Sequence, residues 1–183
     1  MQNGGLNVTG DAATAIAGTV TATYWLLMLV GRLVGAALGA KVSAKNMLVA
    51  VSTVGLGLVL GAMLLSPETV VNLPVFMGTN GFGLAAVPVN AALLVLCGLC
   101  TSVMWGGIFN LAVEGLGKYT EKGAGIFMAM VCGGGILPFV QNAVVDFTGN
   151  YLVSYWVIVA GLAYMLYYAL VGCKNVNKDI PVE

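Results

Sequence analysis

Nineteen residues decide the fold class: Met47–Leu65, MLVAVSTVGLGLVLGAMLL. No charge interrupts them, and a helix of that length spans about 28 Å at 1.5 Å per residue. That is close to the roughly 30 Å of bilayer hydrocarbon. The same reading extends outward in both directions. Arg32, Lys41 and Lys45 precede the stretch, Lys118 and Lys122 form a second basic cluster, and Lys174 and Lys178 a third. The gaps between clusters hold no Lys or Arg. Lys and Arg accumulate on the cytoplasmic side of membrane proteins, and two apolar passes separate each cluster from the next. The pattern predicts a polytopic protein threaded in one consistent direction.

Composition points the same way. Sixty per cent of the 183 residues are hydrophobic and 8% are charged, against about 25% charged in a soluble domain. One ordinary core could not hide that much apolar surface from water. Net charge is zero, so no nucleic-acid partner is expected. The chain contains no His, which removes the commonest acid–base group and transition-metal ligand. No catalytic set, metal site or cofactor is expected, and an enzyme is not indicated. The start Met-Gln-Asn-Gly-Gly lacks the positive region of a cleavable signal. Cys97, Cys100, Cys132 and Cys173 do not form a secreted-type disulfide framework. Cys97-Gly98-Leu99-Cys100 has redox spacing but no second pair, and reads as small apolar filler.

The expected fold is all-α, a five-span transmembrane helix bundle. Its domain comprises residues 12–172, with spans at about 12–40, 47–65, 88–113, 124–145 and 152–171. Residues 1–11 form an outer N-terminal segment, and 173–183 a cytoplasmic tail. Lys41–Asn46 is a short inner turn and Ser66–Val87 an outer loop marked by Pro67, Pro74, Gly78, Gly81 and Gly83. Gly115–Gly123 is a charged inner loop, and Thr148-Gly149-Asn150 a tight outer turn. The N-terminus lies outside and the C-terminus inside. Tyr151, Tyr155 and Trp156 at one end of the last span, with Tyr164, Tyr167 and Tyr168 toward the other, fit two aromatic girdles. Asn7-Val8-Thr9 has the glycosylation pattern on the expected outer side.

Glycines and intramembrane polar groups supply the candidate functional positions. Gly31, Gly35 and Gly39 make a small-residue face on the first span, and Gly57 and Gly61 repeat it on the second, which suits close packing in lipid. In the fourth span, Gly133-Gly134-Gly135 precede Pro138 in mid-membrane. Each glycine weakens a helix by about 1 kcal/mol relative to Ala, and Pro138 removes a hydrogen bond. A bent or hinged span lining a cavity is expected. Gly134, Pro138 and Gln141 share one stripe, and Asn142 and Asp146 follow. Polar groups at this depth are functional candidates by default. Gln141, which has two donors and an acceptor, suits an uncharged hydroxyl-rich ligand or a bond to a neighbouring helix. Trp105 and Phe109 share a face of the third span, with Asn110 beside them. This is a sugar-binding combination or ordinary packing. Thr19, Thr21 and Thr23 alternate, so at least some bond back to their own helix. Arg32 and Glu114 both fall near inner span ends and are expected to form a charge pair across the bundle.

From Ser102 to Asn150 the motifs accumulate in order. They are Ile108-Phe109-Asn110-Leu111-Ala112, Gly115-Leu116-Gly117-Lys118-Tyr119-Thr120, Gly123, Gly133-Gly134-Gly135-Ile136-Leu137-Pro138, Asp146 and Gly149-Asn150. This run resembles the fucose permease and glucose/galactose transporter branch of the major facilitator superfamily. Gly31-Arg32-Leu33-Val34-Gly35 resembles that family's Gly-Arg segment before an inner loop. The resemblance implies the eighth to twelfth of twelve spans, a C-terminal half that works by alternating access. It implies proton-coupled monosaccharide uptake across a bacterial inner membrane, with the N-terminal half supplied in cis or in trans. It also places the proton-coupling carboxylates in that other half. Gly106-Gly107 stand where the family usually has Pro-Thr, which softens the third span. The alternative is a transport-inactive membrane scaffold or partner subunit that kept the fold.

Overall fold

The computed structural model describes residues 10–65, 68–76 and 81–174. The expected glycosylation pattern at Asn7, the loop positions Pro67 and Gly78, and most of the C-terminal tail lie outside them. The elements in order are α1 (Asp11–Gly39), α2 (Ala44–Leu64), β1 (Val70–Phe76), β2 (Phe82–Pro88), α3 (Val89–Val113), α4 (Thr120–Met130), α5 (Gly133–Thr148) and α6 (Tyr151–Tyr167). A single 3₁₀ turn, Gly117–Tyr119, leads into α4, and a wider π turn, Tyr168–Gly172, extends α6. Among the described residues, five helical stretches are long and apolar enough to cross a membrane. Helices suit that setting because every backbone group is satisfied within the segment.

Helix ends follow local chemistry. Ser43 caps α2, its Oγ accepting from Asn46 N at 3.4 Å. α5 closes at Gly149, whose φ of 66° lies in the left-handed region and whose N–H returns to the Val145 carbonyl at 2.7 Å. Asn150 then opens α6 by accepting from Leu152 N at 2.9 Å. The tight turn expected at 148–150 is built from this C-cap and N-cap in succession. In the charged connection, the ammonium groups of Lys118 and Lys122 lie 5.4 and 5.9 Å from the Tyr119 ring centre.

The chain forms two compact units. The first holds α1 as far as Ala37 together with Val54–Ser102. Here the expected loop is corrected: Ser66–Val87 contains a β-hairpin. β1 and β2 pair antiparallel from Val70↔Pro88 to Phe76↔Phe82. Val89 N donates to the Thr69 carbonyl at 2.8 Å as the next rung of the ladder. Alternation of rungs then assigns the cross-strand bonds to positions 71, 73 and 75 with 87, 85 and 83. Pro74 and Pro88 occupy the other set, where a missing N–H costs the ladder nothing. Phe76 N also points away from β2, and it donates to Thr23 Oγ1 on α1 at 2.9 Å. One hairpin face packs inward: Val75, Ala85, Val87 and Ala92 are buried, with Ile16, Val20, Val71 and Leu73 against them.

Close helix contact in this unit runs through two glycines. A Cβ at Gly31 would collide with the Ser102 side chain and the Leu99 carbonyl, and one at Gly98 would meet the Tyr24 carbonyl at 2.9 Å. α1 and α3 therefore approach backbone to backbone. The Thr101 hydroxyl donates to the Gly98 carbonyl at 3.2 Å, which leaves the Tyr24 hydroxyl to donate to Thr101 at 3.0 Å. Thr19, Thr21 and Thr23 all bond back to carbonyls of α1. Gly61 touches Leu93, whereas Gly39 and Gly57 face open space. The small-residue faces are thus used only in part. Cys97 and Cys100 are buried, and all four cysteines are unbridged.

Candidate functional site

The polar and glycine candidates gather in the second unit, Leu38–Thr53 with Val103–Glu183. α3 supplies Trp105 and Phe109. Both rings meet Phe127 of α4 edge to face, with centroids 5.2 and 5.4 Å apart and interplanar angles of 62° and 74°. The shared face read from the four-residue spacing is therefore real. Trp105 remains 43% exposed, with Phe127 against one side of the indole. Asn110, the residue after Phe109, is exposed, and its carbonyl accepts from Glu114 N at 3.0 Å.

The glycine pair in α3 divides its roles. Gly107 is buried, and a Cβ there would touch the Ala44 carbonyl at 3.7 Å and Leu48 Cβ at 3.8 Å. Gly106 is exposed and faces nothing within 4 Å. One is a packing position for the start of α2, and the other leaves a gap beside Trp105.

The expected fourth span is two helices. α4 ends at Met130 and α5 begins at Gly133. Between them the backbone tightens: Val131 N bonds to the Met128 carbonyl, Cys132 N to Ala129, Gly134 N to Val131 and Gly135 N to Cys132. Each of these spans three residues, the tighter 3₁₀ pattern. The break therefore falls just ahead of the glycine triplet, and α5 continues through Pro138. Two causes converge there. The glycines remove helix propensity, and Pro138 leaves the Gly134 carbonyl without its usual i+4 donor. A Cβ on Gly133, Gly134 or Gly135 would meet nothing within 4 Å. Close packing among the described residues therefore does not account for the triplet.

Gln141 is half-buried and donates from Nε2 to Ser154 Oγ on α6 at 3.3 Å. Ser154 is buried and donates in turn to the Tyr151 carbonyl at 2.7 Å. This short relay fixes the Gln141 amide against α6 and leaves its carbonyl oxygen and second N–H for another partner. Asn142 is exposed on the next position of α5. Sequence reading missed Ser154 and Phe127. Each sits in an uninterrupted apolar stretch, and only the packing of α6 on α5 and of α4 on α3 brings it to a candidate residue. Of the expected charge pair, Arg32 lies on α1 in the first unit, with its guanidinium 4.0 Å from the Met28 sulfur, and Glu114 follows α3 in the second.

No family model matches the chain, and no solved structure matches it. Named relatives do. The chain is similar to the "Glucose/galactose transporter" of Brucella abortus biovar 1 (strain 9-941), 40% identical over 78 residues, which cover 43% of this chain and 19% of the relative. The protein of the same name from Brucella abortus (strain 2308) matches equally. A Helicobacter pylori protein (strain ATCC 700392 / 26695), given that name provisionally, is 29% identical over 156 residues, 83% of this chain and 33% of its own length. The chain thus spans a fifth to a third of the relatives it matches. These relatives are named as transporters, and five membrane-capable helices accord with that. The chain is an integral membrane protein.

Proposed function

We propose that this chain is a C-terminal portion of a sugar transporter of the major facilitator superfamily, of the fucose permease or glucose/galactose type. The observation that carries the reading is sequence similarity to glucose/galactose transporters over 83% of the chain. It is joined by an open indole, exposed amides and a broken span within one unit. The complete protein works by alternating access and couples uptake to protons at the bacterial inner membrane. Trp105 offers an apolar face to the sugar ring, and Asn110, Gln141 and Asn142 offer donors and acceptors to its hydroxyls. The α4–α5 break, with Gly106 and Gly107 on α3, is the bending element. The N-terminus lies outside and the C-terminus in the cytoplasm.

The test is complementation. The chain is expressed with the remaining N-terminal portion of the Brucella abortus relative, and uptake of labelled glucose and galactose is measured in cells lacking other hexose uptake. Restored uptake that Gln141→Ala abolishes, at unchanged membrane abundance, is the expected result. Absence of uptake with both chains in the membrane would instead favour a scaffold that kept the fold without the activity.

A further inference from the structure

The turn from α3 into α4 is a built structure. Gly115 and Gly117 take φ of 77° and 48°, in the left-handed region that glycine enters freely. Tyr119 N donates to the Leu116 carbonyl at 2.9 Å, and Thr120 Oγ1 to the Gly117 carbonyl at 2.7 Å. A Cβ on Gly123 would collide with the Leu116 side chain, so Leu116 seats there. This frame carries Lys118 and Lys122 on either side of Tyr119 in sequence. Both ammonium groups gather at the Tyr119 ring, 5.4 and 5.9 Å from its centre. Lys118, Tyr119 and Lys122 are all exposed. Glu121 is exposed on the same turn, yet among the described residues neither ammonium forms an ion pair. Two like charges are thus held around one ring with no carboxylate to offset them.

The helix axis gives the depth of this pair. Twenty-six residues separate Lys122 from Thr148 within one helical stretch, at most about 39 Å along its axis. A bilayer with its headgroups is about 40–45 Å thick. Thr148 opens the polar turn Thr148-Gly149-Asn150 that joins α5 to α6, so it sits in one headgroup layer and Lys122 reaches the other. The break at Val131–Cys132, or a tilt, shortens the reach and keeps Lys122 from passing beyond that layer. We propose that Lys118, Tyr119 and Lys122 bind the phosphate of an anionic phospholipid headgroup. Each ammonium supplies three donors and the Tyr hydroxyl one more, and bonds between an ammonium and a phosphate are charge-assisted. A lipid with net negative charge is favoured, because in a zwitterionic one the lipid's own cation competes for the phosphate. The inference holds for either direction of threading and does not depend on sugar transport.

The full chain is purified in neutral detergent, and lipid binding is read by native mass spectrometry as phosphatidylglycerol or phosphatidylcholine is titrated. The first phosphatidylglycerol is expected to bind at least about tenfold more tightly than the first phosphatidylcholine, since each Lys at an anionic headgroup adds attraction. Lys118→Gln with Lys122→Gln should remove that preference. Lys41→Gln with Lys45→Gln takes the same charge from another basic cluster and should leave it unchanged. Equal loss in both pairs would reduce the effect to general surface charge and overturn the site. A wild-type chain without the preference would overturn it as well, and would leave the cations to a carboxylate of another protein. Inorganic phosphate replacing chloride at matched ionic strength should leave the preference intact. Its loss there would assign the cations to a soluble anion and overturn the lipid assignment. Lys118→Gln and Lys122→Gln singly should each give a partial loss, which keeps the test open should the double variant fail to fold.

Discussion

Single atoms decide how near α1 and α3 can come. A Cβ on Gly98 would stand 2.9 Å from a backbone carbonyl, which cannot swing aside as a side-chain tip can. Gly98→Val is therefore expected to destabilise the chain by about 1–3 kcal/mol, read as a lower apparent melting temperature in detergent. Gly18→Ala, facing open space within its helix, should leave the melting temperature unchanged or raise it, since Ala favours helix by about 1 kcal/mol. Thr23→Val removes the acceptor for Phe76 N and should cost about 1–3 kcal/mol, with faster hydrogen exchange at the Phe76 amide. Thr23→Ser should restore both. The need for a hydroxyl at Thr23 was only half legible. Alternating threonines announce back-bonding, but the second partner comes from a strand 53 positions later. Trp105 and Phe109 were legible as neighbours because they share a helix. Their common partner Phe127 was not, because it arrives on another one.

Among the elements, uninterrupted apolar runs were readable from sequence, because a span asks only for length and the absence of charge. The hairpin escaped that logic. Its inward positions, Val71, Leu73, Val75, Ala85 and Val87, alternate with Val70, Phe76, Phe82 and Leu84, which are just as apolar, and with a single polar Asn72. No polar–apolar period exists to announce strands, and Pro74 and Gly83 read as loop. Yet a loop of some twenty structureless residues is itself uncommon. The alternation of the ladder explains how both prolines are tolerated, and that becomes visible only once the register is known. The fourth span was legible as a weak helix, but its break lies at Val131–Cys132, where 3₁₀ bonds set in, and not at Pro138. Replacing Gly133, Gly134 and Gly135 together by Ala should strengthen helix there by about 1 kcal/mol per site. Slower hydrogen exchange at residues 131–135 is the expected outcome, together with reduced uptake in the complemented transporter. Unchanged exchange would assign the break to Pro138 and its neighbours instead.

For the molecule as a whole, hydropathy and basic clustering predict a threaded path, and similarity to glucose/galactose transporters carries the function proposed for it. Rocking transport needs two halves around a central site, and the chain spans at most a third of the relatives it matches. Alone in proteoliposomes it is therefore expected to take up no labelled hexose above empty vesicles. Uptake by the chain alone would overturn the half-transporter reading. The claim beneath all of this is the direction of threading, with Lys41, Lys45, Lys118 and Lys122 on the cytoplasmic side. It is tested most directly with a membrane-impermeant maleimide on intact cells, using Lys118→Cys and Tyr151→Cys in a background where Cys132 and Cys173 are Ala. The account predicts labelling of Tyr151→Cys in intact cells and of Lys118→Cys only after the membrane is opened. Labelling of Lys118→Cys in intact cells would invert the topology and contradict the transporter assignment.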